Sequence, residues 1–401
     1  MSAAWREREG LDRLLDALDA KAGATRFVGG VVRDTLLGLE TADVDLATRL
    51  RPDEVARRIG DAGLKAVPTG IAHGTVTAVL PSGPVEVTTL RRDVATDGRH
   101  AEIAFSDDWR EDAARRDFTI NALSAGPDFG RDASAKIHDY FGGRADLAAR
   151  RVRFIGDPFV RIAEDHLRIL RFFRFHARFG AGAPDADGLA ACTARANDLM
   201  ALSRERIAQE VLKLLVAPNA ADTVAIMVAH GIFTPVLPEI DDLRRLRRTI
   251  ARETHAQLAP SALLRLVALL PDAAAGAVAA RLKLSNADRK RMEIAAAPLL
   301  TTDPLELRYR LGAVGAQDQL LLADLDDDAV AAKLAEIASW PAPRFPLTGG
   351  ALVTRGLSAG PSVAATLKRI EDRWIAEGFP DAARVAAIAD EEVAQALRAD
   401  R

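Results

Sequence analysis

An α+β fold follows from where the β-branched residues stop. Short runs rich in Val, Thr and Phe are confined to the first 147 residues. Beyond residue 148, Ala, Leu and Arg recur at three- and four-residue spacing without a convincing strand signal. Gly/Pro-rich connectors cut that second part into separate helices. The expected architecture is a mixed head of strands and helices followed by an all-α remainder.

In chain order, "TRFVGG" from Thr25, "DVDLAT" from Asp43, "GTVTAVLP" from Gly74 and "PVEVTTLR" from Pro84 read as strands, because β-branched residues alternate or cluster between turn signals. "ARFGAGAPDADG" (177–188) and "VAPNAAD" (216–222) read as breaks between helices. "RFPLTGGALVTRGLSAGPS" (344–362) leads into a final helix from Pro361, a residue suited to a first helical position. No tandem repeat or low-complexity tract interrupts the pattern.

The chain has 401 residues, enough for roughly two to four domains. Its single cysteine, Cys192, excludes an internal disulfide framework and a multi-cysteine zinc site, and fits a reducing cytoplasm. The charged opening "MSAAWREREGLDRLLDALDA" is unlike a signal peptide, and no apolar run is long enough to span a membrane. A cytoplasmic protein with no membrane partner is expected. The net charge of −3 does not suggest a nucleic-acid binder, so any RNA contact must come from a local basic region.

Two carboxylates supply the first chemical signal. On a strand, Asp43 and Asp45 face one side while Val44 and Leu46 face the core. Two adjacent carboxylates repel unless a cation lies between them, and Mg²⁺ prefers such hard oxygen ligands. Glu86 lies on the face opposite Val85 and Val87; it could complete a metal site or be a surface strand residue. Just ahead, "VGGVVRD" places Gly29 and Gly30 at a strand-to-helix turn where the backbone can approach phosphate, with Arg33 in the first helical turn to add a charged contact. In "RRDFTINALS", read as a helix, Arg115 and Arg116 could reach triphosphate oxygens, and Asn121 could bond a sugar or nearby backbone.

From Arg150 to Arg178 there are eight arginines and three carboxylates, a local charge of +5 that the overall balance conceals. The apolar residues of this segment, among them Phe172 and Phe173, read as core. Asp165 and Arg168 are neighbours on a helix surface, where they could be a simple ion pair. They also match the edge shared by cytosine and adenine: a carboxylate accepts from the amino group while an arginine donates to the ring nitrogen. Guanine and uracil present a carbonyl oxygen there, and each misplaced acceptor costs about 1–3 kcal/mol.

As a set, "GGVVRD…DVD", "VEVTTLRRD", "RRDFTINAL" and "EDHLR" resemble the motifs of class II CCA-adding tRNA nucleotidyltransferases and the closely similar bacterial poly(A) polymerases, in order and approximate spacing. The tail resembles the bacterial members more loosely. The resemblance implies a polymerase-β-like nucleotidyltransferase head (1–147), a neck carrying base recognition (148–217), an RNA-binding body (218–300) and a tail in contact with tRNA (301–401). It implies that Asp43 and Asp45 hold two Mg²⁺ ions; Glu86 remains a catalytic candidate from the strand pattern alone. Gly29, Gly30, Arg33, Asp34, Arg115, Arg116, Asp117 and Asn121 would contact the incoming nucleotide. Asp165 and Arg168 would read its base, and Arg171 and Arg174 would touch it further along. Steps of three drift around a helix by about 60°, so Arg174 should face away from Asp165 and reach phosphate or brace the pair. Residues 91–105 correspond to a flexible loop linked to switching from C to A.

The implied reaction is attack of the tRNA 3′-hydroxyl on the α-phosphate of CTP or ATP, one metal activating the hydroxyl and the other stabilising pyrophosphate. Poly(A) addition, partial addition of CC or A, and a catalytically dead RNA-binding scaffold are the alternatives. The pI near 6.2 leans against poly(A) addition, and the intact carboxylates lean against a scaffold.

Overall fold

A computed structural model describes residues 3–41, 43–96, 101–132 and 134–399. Its internal contacts divide the chain into two compact units. One is Met1–Arg247 with Pro260–Arg289; the other is Arg248–Ala259 with Lys290–Arg401.

The first unit opens with nine strands: β1 (Thr25–Val28), β2 (Asp45–Thr48), β3 (Lys65–Gly70), β4 (Thr75–Leu80), β5 (Gly83–Thr89), β6 (Arg91–Thr96), β7 (Ala101–Phe105), β8 (Ser124–Ala125) and β9 (Ile137–His138). Seven form one mixed sheet in the order β3-β4-β5-β2-β1-β8-β9, and β6 and β7 pair separately. All four expected strands are present. The sequence reading missed β3, an edge strand that carries Pro68, a residue that edge positions tolerate. It also missed the two-residue β8 and β9, which are too short to show a period. The segment expected as a flexible loop is a hairpin, with Arg91 opposite Phe105 and Arg92 opposite Ala104. Residues 97–100 at its tip lie outside the described residues.

The pairing of β2 with β5 is parallel, and it sets Asp45 opposite Glu86 and Leu46 opposite Val87. Side chains alternate across a strand. Leu46 and Val87 are therefore sealed in the core with Phe27 and Val85, under the helix Pro52–Asp61, which inserts Val55 and Ile59. Asp45 and Glu86 are left on the opposite face.

Two expectations about helices need correction. The helix Trp109–Ala114 ends before Arg115, so "RRDFTINALS" is not helical; Thr119–Asn121 form one 3-10 turn. The cause is a competing partner. Phe118 is extended and bridges Phe154, with the Thr119 N–H donating to the Arg153 carbonyl and the Ile155 N–H to the Asp117 carbonyl. Likewise "EDHLR" is not on one helix. The helix Pro158–Glu164 stops at Asp165, whose backbone is extended (φ −152°, ψ 107°), and a new helix runs Arg168–Phe179.

Phe118 also anchors an aromatic core to that second helix. Its ring lies 4.9 Å from Phe154 and 5.2 Å from Phe175, and Phe154 stacks on Phe172 at 5.4 Å. Phe172 and Phe173 are fully buried, as their spacing implied. Beneath the Thr119 turn, Asp146 accepts from the Thr119 hydroxyl (2.7 Å), Arg151 (2.8 Å) and Arg153 (3.0 Å).

The second unit is built on Trp374, surrounded by Tyr309, Phe345 and Phe379 with centroids 5.0–5.4 Å away. Its helix Pro304–Leu322 is broken at Gly312 (φ 74°). The helix expected from Pro361 is Pro361–Ala376, but it is not the last; Ala382–Ala399 follows and packs on it. Among the described residues, no helix is long and apolar enough to cross a membrane.

The Thr119 turn leaves no space beside Gly143, where an added Cβ would lie 2.2 Å from the Thr119 carbonyl oxygen. Gly143→Ala is expected to destabilise the protein by about 1–3 kcal/mol, the usual range for overpacking, read as a lowered midpoint in denaturant.

Candidate active site

β1 delivers the chain to Gly29 at φ +67°, from which the helix Gly30–Leu36 departs. Glycine is favoured here by its positive φ, and an added Cβ would also meet Arg116 Nη1 at 2.9 Å and displace the guanidinium that lines the cavity. A cavity of about 390 Å³ opens beside this turn. Gly29, Gly30, Arg33 and Asp45 form one wall, and Arg115, Arg116, Asp117 and Asn121 a second. Asp165, Arg168, Arg171 and Phe175 form the third. Five guanidiniums facing three carboxylates make a lining suited to a polyanion that also carries hydrogen-bonding groups.

The arginines are held in place by carboxylates behind them. Asp112, buried at 4% exposure, accepts from Arg115 Nε at 3.0 Å and from Arg116 Nη2 at 3.4 Å. Burial works to raise the Asp112 carboxyl, but the charges of Arg115 and Arg116 hold it below the ordinary value. Asp112 was not singled out from the sequence, although its spacing of three and four from the two arginines was a usable signal.

Deeper in, one chain of hydrogen bonds links the Gly-Gly helix to the helix Arg168–Phe179. Arg33 Nε donates to Asp34 Oδ1 at 2.8 Å, and its Nη1 donates to Asn121 Oδ1 at 2.5 Å. Asn121 Nδ2 donates to Asp117 Oδ1 at 3.0 Å, and Arg171 Nε donates to Asp117 Oδ2 at 2.7 Å. Burial pushes the Asp117 carboxyl up, but Arg171 and the bonds from Asn121 and the Phe118 N–H more than reverse this and leave it lowered. Asp34 is buried behind Arg33 and does not line the cavity. Phe175, unnoticed in the sequence, has the guanidiniums of Arg33, Arg171 and Arg174 at 5.3, 5.2 and 4.4 Å from its ring centre.

Asp43 precedes β2 and is exposed, so the strand argument holds for Asp45 and not for both. Neither Asp43 nor Glu86 lines the cavity. Burial, then the neighbouring Glu86, push the Asp45 carboxyl up to about 6; Arg116 offsets part of this and Asp43 adds to it. That crowding of negative charge fits a divalent cation, which would relieve it. Among the described residues no three His, Cys, Asp or Glu side chains converge to hold a metal. A cation here would therefore draw further ligands from phosphate and water, as Mg²⁺ commonly does.

Asp165 and Arg168 both face the cavity but are not paired with each other. Asp165 accepts from the Leu167 N–H (3.1 Å) and from Arg206 Nη2, at 3.0 and 2.9 Å to its two oxygens. Arg168 donates to the Arg161 carbonyl (2.9 Å), to Glu164 and to the Arg115 carbonyl (3.0 Å). The helix break between them turns the two side chains to different supports, which excludes the simple ion pair. Arg206 had no local signal, lying 41 residues from its partner. Arg174, expected to touch the nucleotide, does not line the cavity: its Nε donates to Glu210 at 2.5 Å, and the drift argument does not apply to it because Asp165 lies outside the helix Arg168–Phe179.

Because Asp45 is held above its unfolded value of 3.8, the metal-free fold binds more protons than the unfolded chain between about pH 4 and 6. Stability should fall as pH rises through that window. Asp45→Asn removes the buried charge and is expected to stabilise the metal-free protein at pH 7 by on the order of 1–3 kcal/mol. The gain should disappear in thermal melts near pH 4.

Comparison with known proteins places the chain in a family. Residues 25–153 match the family described as "Poly A polymerase head domain", and residues 184–244 match "Probable RNA and SrmB- binding site of polymerase A". The mitochondrial CCA tRNA nucleotidyltransferase 1 of Danio rerio is 33% identical over 392 residues, covering 91% of this chain and 86% of the relative. The Homo sapiens protein of the same name is 30% identical, covering 92% and 87%. The structure of the Bacillus stearothermophilus CCA-adding enzyme in complex with CTP superposes with a TM-score of 0.76 at 27% identity, covering 96% of this chain and 98% of that one. On these grounds the chain belongs to the family of CCA tRNA nucleotidyltransferases, and it is a nucleotidyltransferase.

Proposed function

We propose that the enzyme adds C, C and A in turn to the 3′ end of tRNA, taking CTP and ATP as substrates and using no nucleic-acid template. The observation that supports this best is a single cavity in which Asp45, the arginines around the Gly-Gly turn, and Asp165 with Arg168 all meet. One end suits a metal-bound triphosphate and the other a base edge.

In this reading Arg33, Arg115 and Arg116 hold the triphosphate, and Gly29 and Gly30 let the backbone approach it. Asp34 and Asn121 brace Arg33, Asp112 braces Arg115 and Arg116, and Asp117 holds Asn121 and Arg171, which reaches the nucleotide from the helix that carries it. Asp165 accepts from the amino group of cytosine or adenine, and Arg168 donates to the adjacent ring nitrogen. Asp43 and Asp45 would hold two Mg²⁺ ions, with Glu86 supplying the negative charge that favours their binding. Bound metal supplies activation of the 3′-hydroxyl and neutralisation of the departing pyrophosphate. The chain's own part is alignment: it fixes the α-phosphate for in-line attack by the RNA hydroxyl, and pyrophosphate leaves. We assign catalysis to residues 1–147, base reading to 148–217, and RNA binding to 218–300 and 301–401. The single buried Cys192 suits the reducing cytoplasm.

A tRNA transcript lacking its 3′ CCA, incubated with Mg²⁺ and each NTP alone and together, tests the reading on a single-nucleotide gel. Addition of C, C and A followed by a stop is expected. A lengthening ladder with ATP alone would make the protein a poly(A) polymerase instead. Asp43→Ala with Asp45→Ala should lower incorporation by at least about a thousandfold, the several kcal/mol of charge stabilisation that a catalytic metal provides.

A further inference from the structure

We propose that Arg206 is a positioning residue for nucleotide selection, fixing the Asp165 carboxylate in the orientation that reads the base. This rests on the reading of Asp165 given above.

Asp165 is poorly held by its own segment. It lies in the break between two helices with extended backbone, and its local side-chain bond is a single one, from the Leu167 N–H at 3.1 Å. Arg168, the residue it would work with, is turned to Glu164 and to two backbone carbonyls. What spans the carboxylate is Arg206 Nη2, at 3.0 Å from Oδ1 and 2.9 Å from Oδ2. A single nitrogen placed across both oxygens stops the carboxylate from rotating; Oδ1 also accepts from the Leu167 N–H, and Oδ2, bonded to Arg206 alone, keeps a lone pair for another donor.

Arg206 does not line the cavity, so it acts through Asp165. Its own support is firm. It sits in the first turn of the helix Arg204–Leu215, which Ser203 caps by accepting from the Arg206 N–H, and which packs along Arg168–Phe179. The Arg174–Glu210 ion pair, with both side chains largely buried, ties the same two helices together. Arg174 thereby gains a role too: it braces the helix that carries Arg206.

Selection follows from orientation. With the carboxylate fixed, an amino group is accepted, and the carbonyl oxygen of uracil or guanine meets a charged acceptor it cannot bond. Once the carboxylate can swing aside, cytosine and adenine lose one hydrogen bond and uracil and guanine escape the repulsion. Free rotation thus costs discrimination more than it costs reaction.

The test compares kcat/KM for CTP and UTP on tRNA lacking CCA, and for ATP and GTP on tRNA ending in CC, in wild type, Arg206→Met, Arg206→Gln and Arg206→Lys. The Met variant keeps the apolar stem and should lower both selectivity ratios about tenfold, the scale of one charge-assisted hydrogen bond. Lys should restore most of the ratio, because one nitrogen makes both contacts. Gln, which also covers the case of a Met variant that does not fold, should fall between Met and Lys. Equal losses with all four nucleotides, or an unchanged ratio in variants that fold, would overturn the role of Arg206 while leaving the CCA-adding reading standing. A wild type that adds neither C nor A would overturn that reading first, and the role of Arg206 with it.

Discussion

The deep wall of the cavity depends on the buried carboxylate of Asp117. It accepts from Arg171 on one side and from Asn121 on the other, and through Asn121 it fixes Arg33 beside the Gly-Gly turn. Removing one partner of such a buried pair leaves an uncompensated charge, which typically costs about 3–5 kcal/mol. The network ties the strand-turn-helix of the head to the arginine-rich helix Arg168–Phe179 through named bonds. The aromatic core of Phe118, Phe154, Phe172 and Phe175 fills the space behind it and excludes the water that would weaken it.

The same architecture distributes charge deliberately. Arg115 and Arg116 are steadied from below by Asp112, so their positions do not depend on a ligand. At Asp45 the opposite holds: the parallel pairing of β2 with β5 brings Glu86 alongside, and the charge of Arg116 offsets only part of the resulting repulsion. A region held in balance thus adjoins a region held in electrostatic deficit. That asymmetry is what a site for a metal-bound polyphosphate requires.

A third arrangement concerns Asp165 and Arg168, the pair proposed to read the base. A carboxylate and a guanidinium on one uninterrupted helix would satisfy each other and present little to a ligand. The break at Asp165 separates them, so each is held by a different neighbour and both face the cavity. Local irregularity here leaves both side chains available to a ligand, in keeping with the way irregular backbone gathers at binding sites.

The sequence by itself determined the division into a mixed head and a helical remainder, the four principal strands, and most of the residues that meet in the cavity. It could do so because alternation, glycine turns and clustered charge are local properties, readable within a few residues. Tertiary structure decided the rest. Whether "RRDFTIN" is a helix depended on Phe154, a bridge partner 36 residues away. Whether Asp165 and Arg168 pair depended on Arg206, Glu164 and the Arg115 carbonyl. Whether Asp34 and Arg174 line the cavity or stand behind it depended on the buried partners they pair with, Arg33 and Glu210. Residue type and spacing state what a side chain can bond. Only the packed chain, in which each buried polar group must find a partner, states what it does bond.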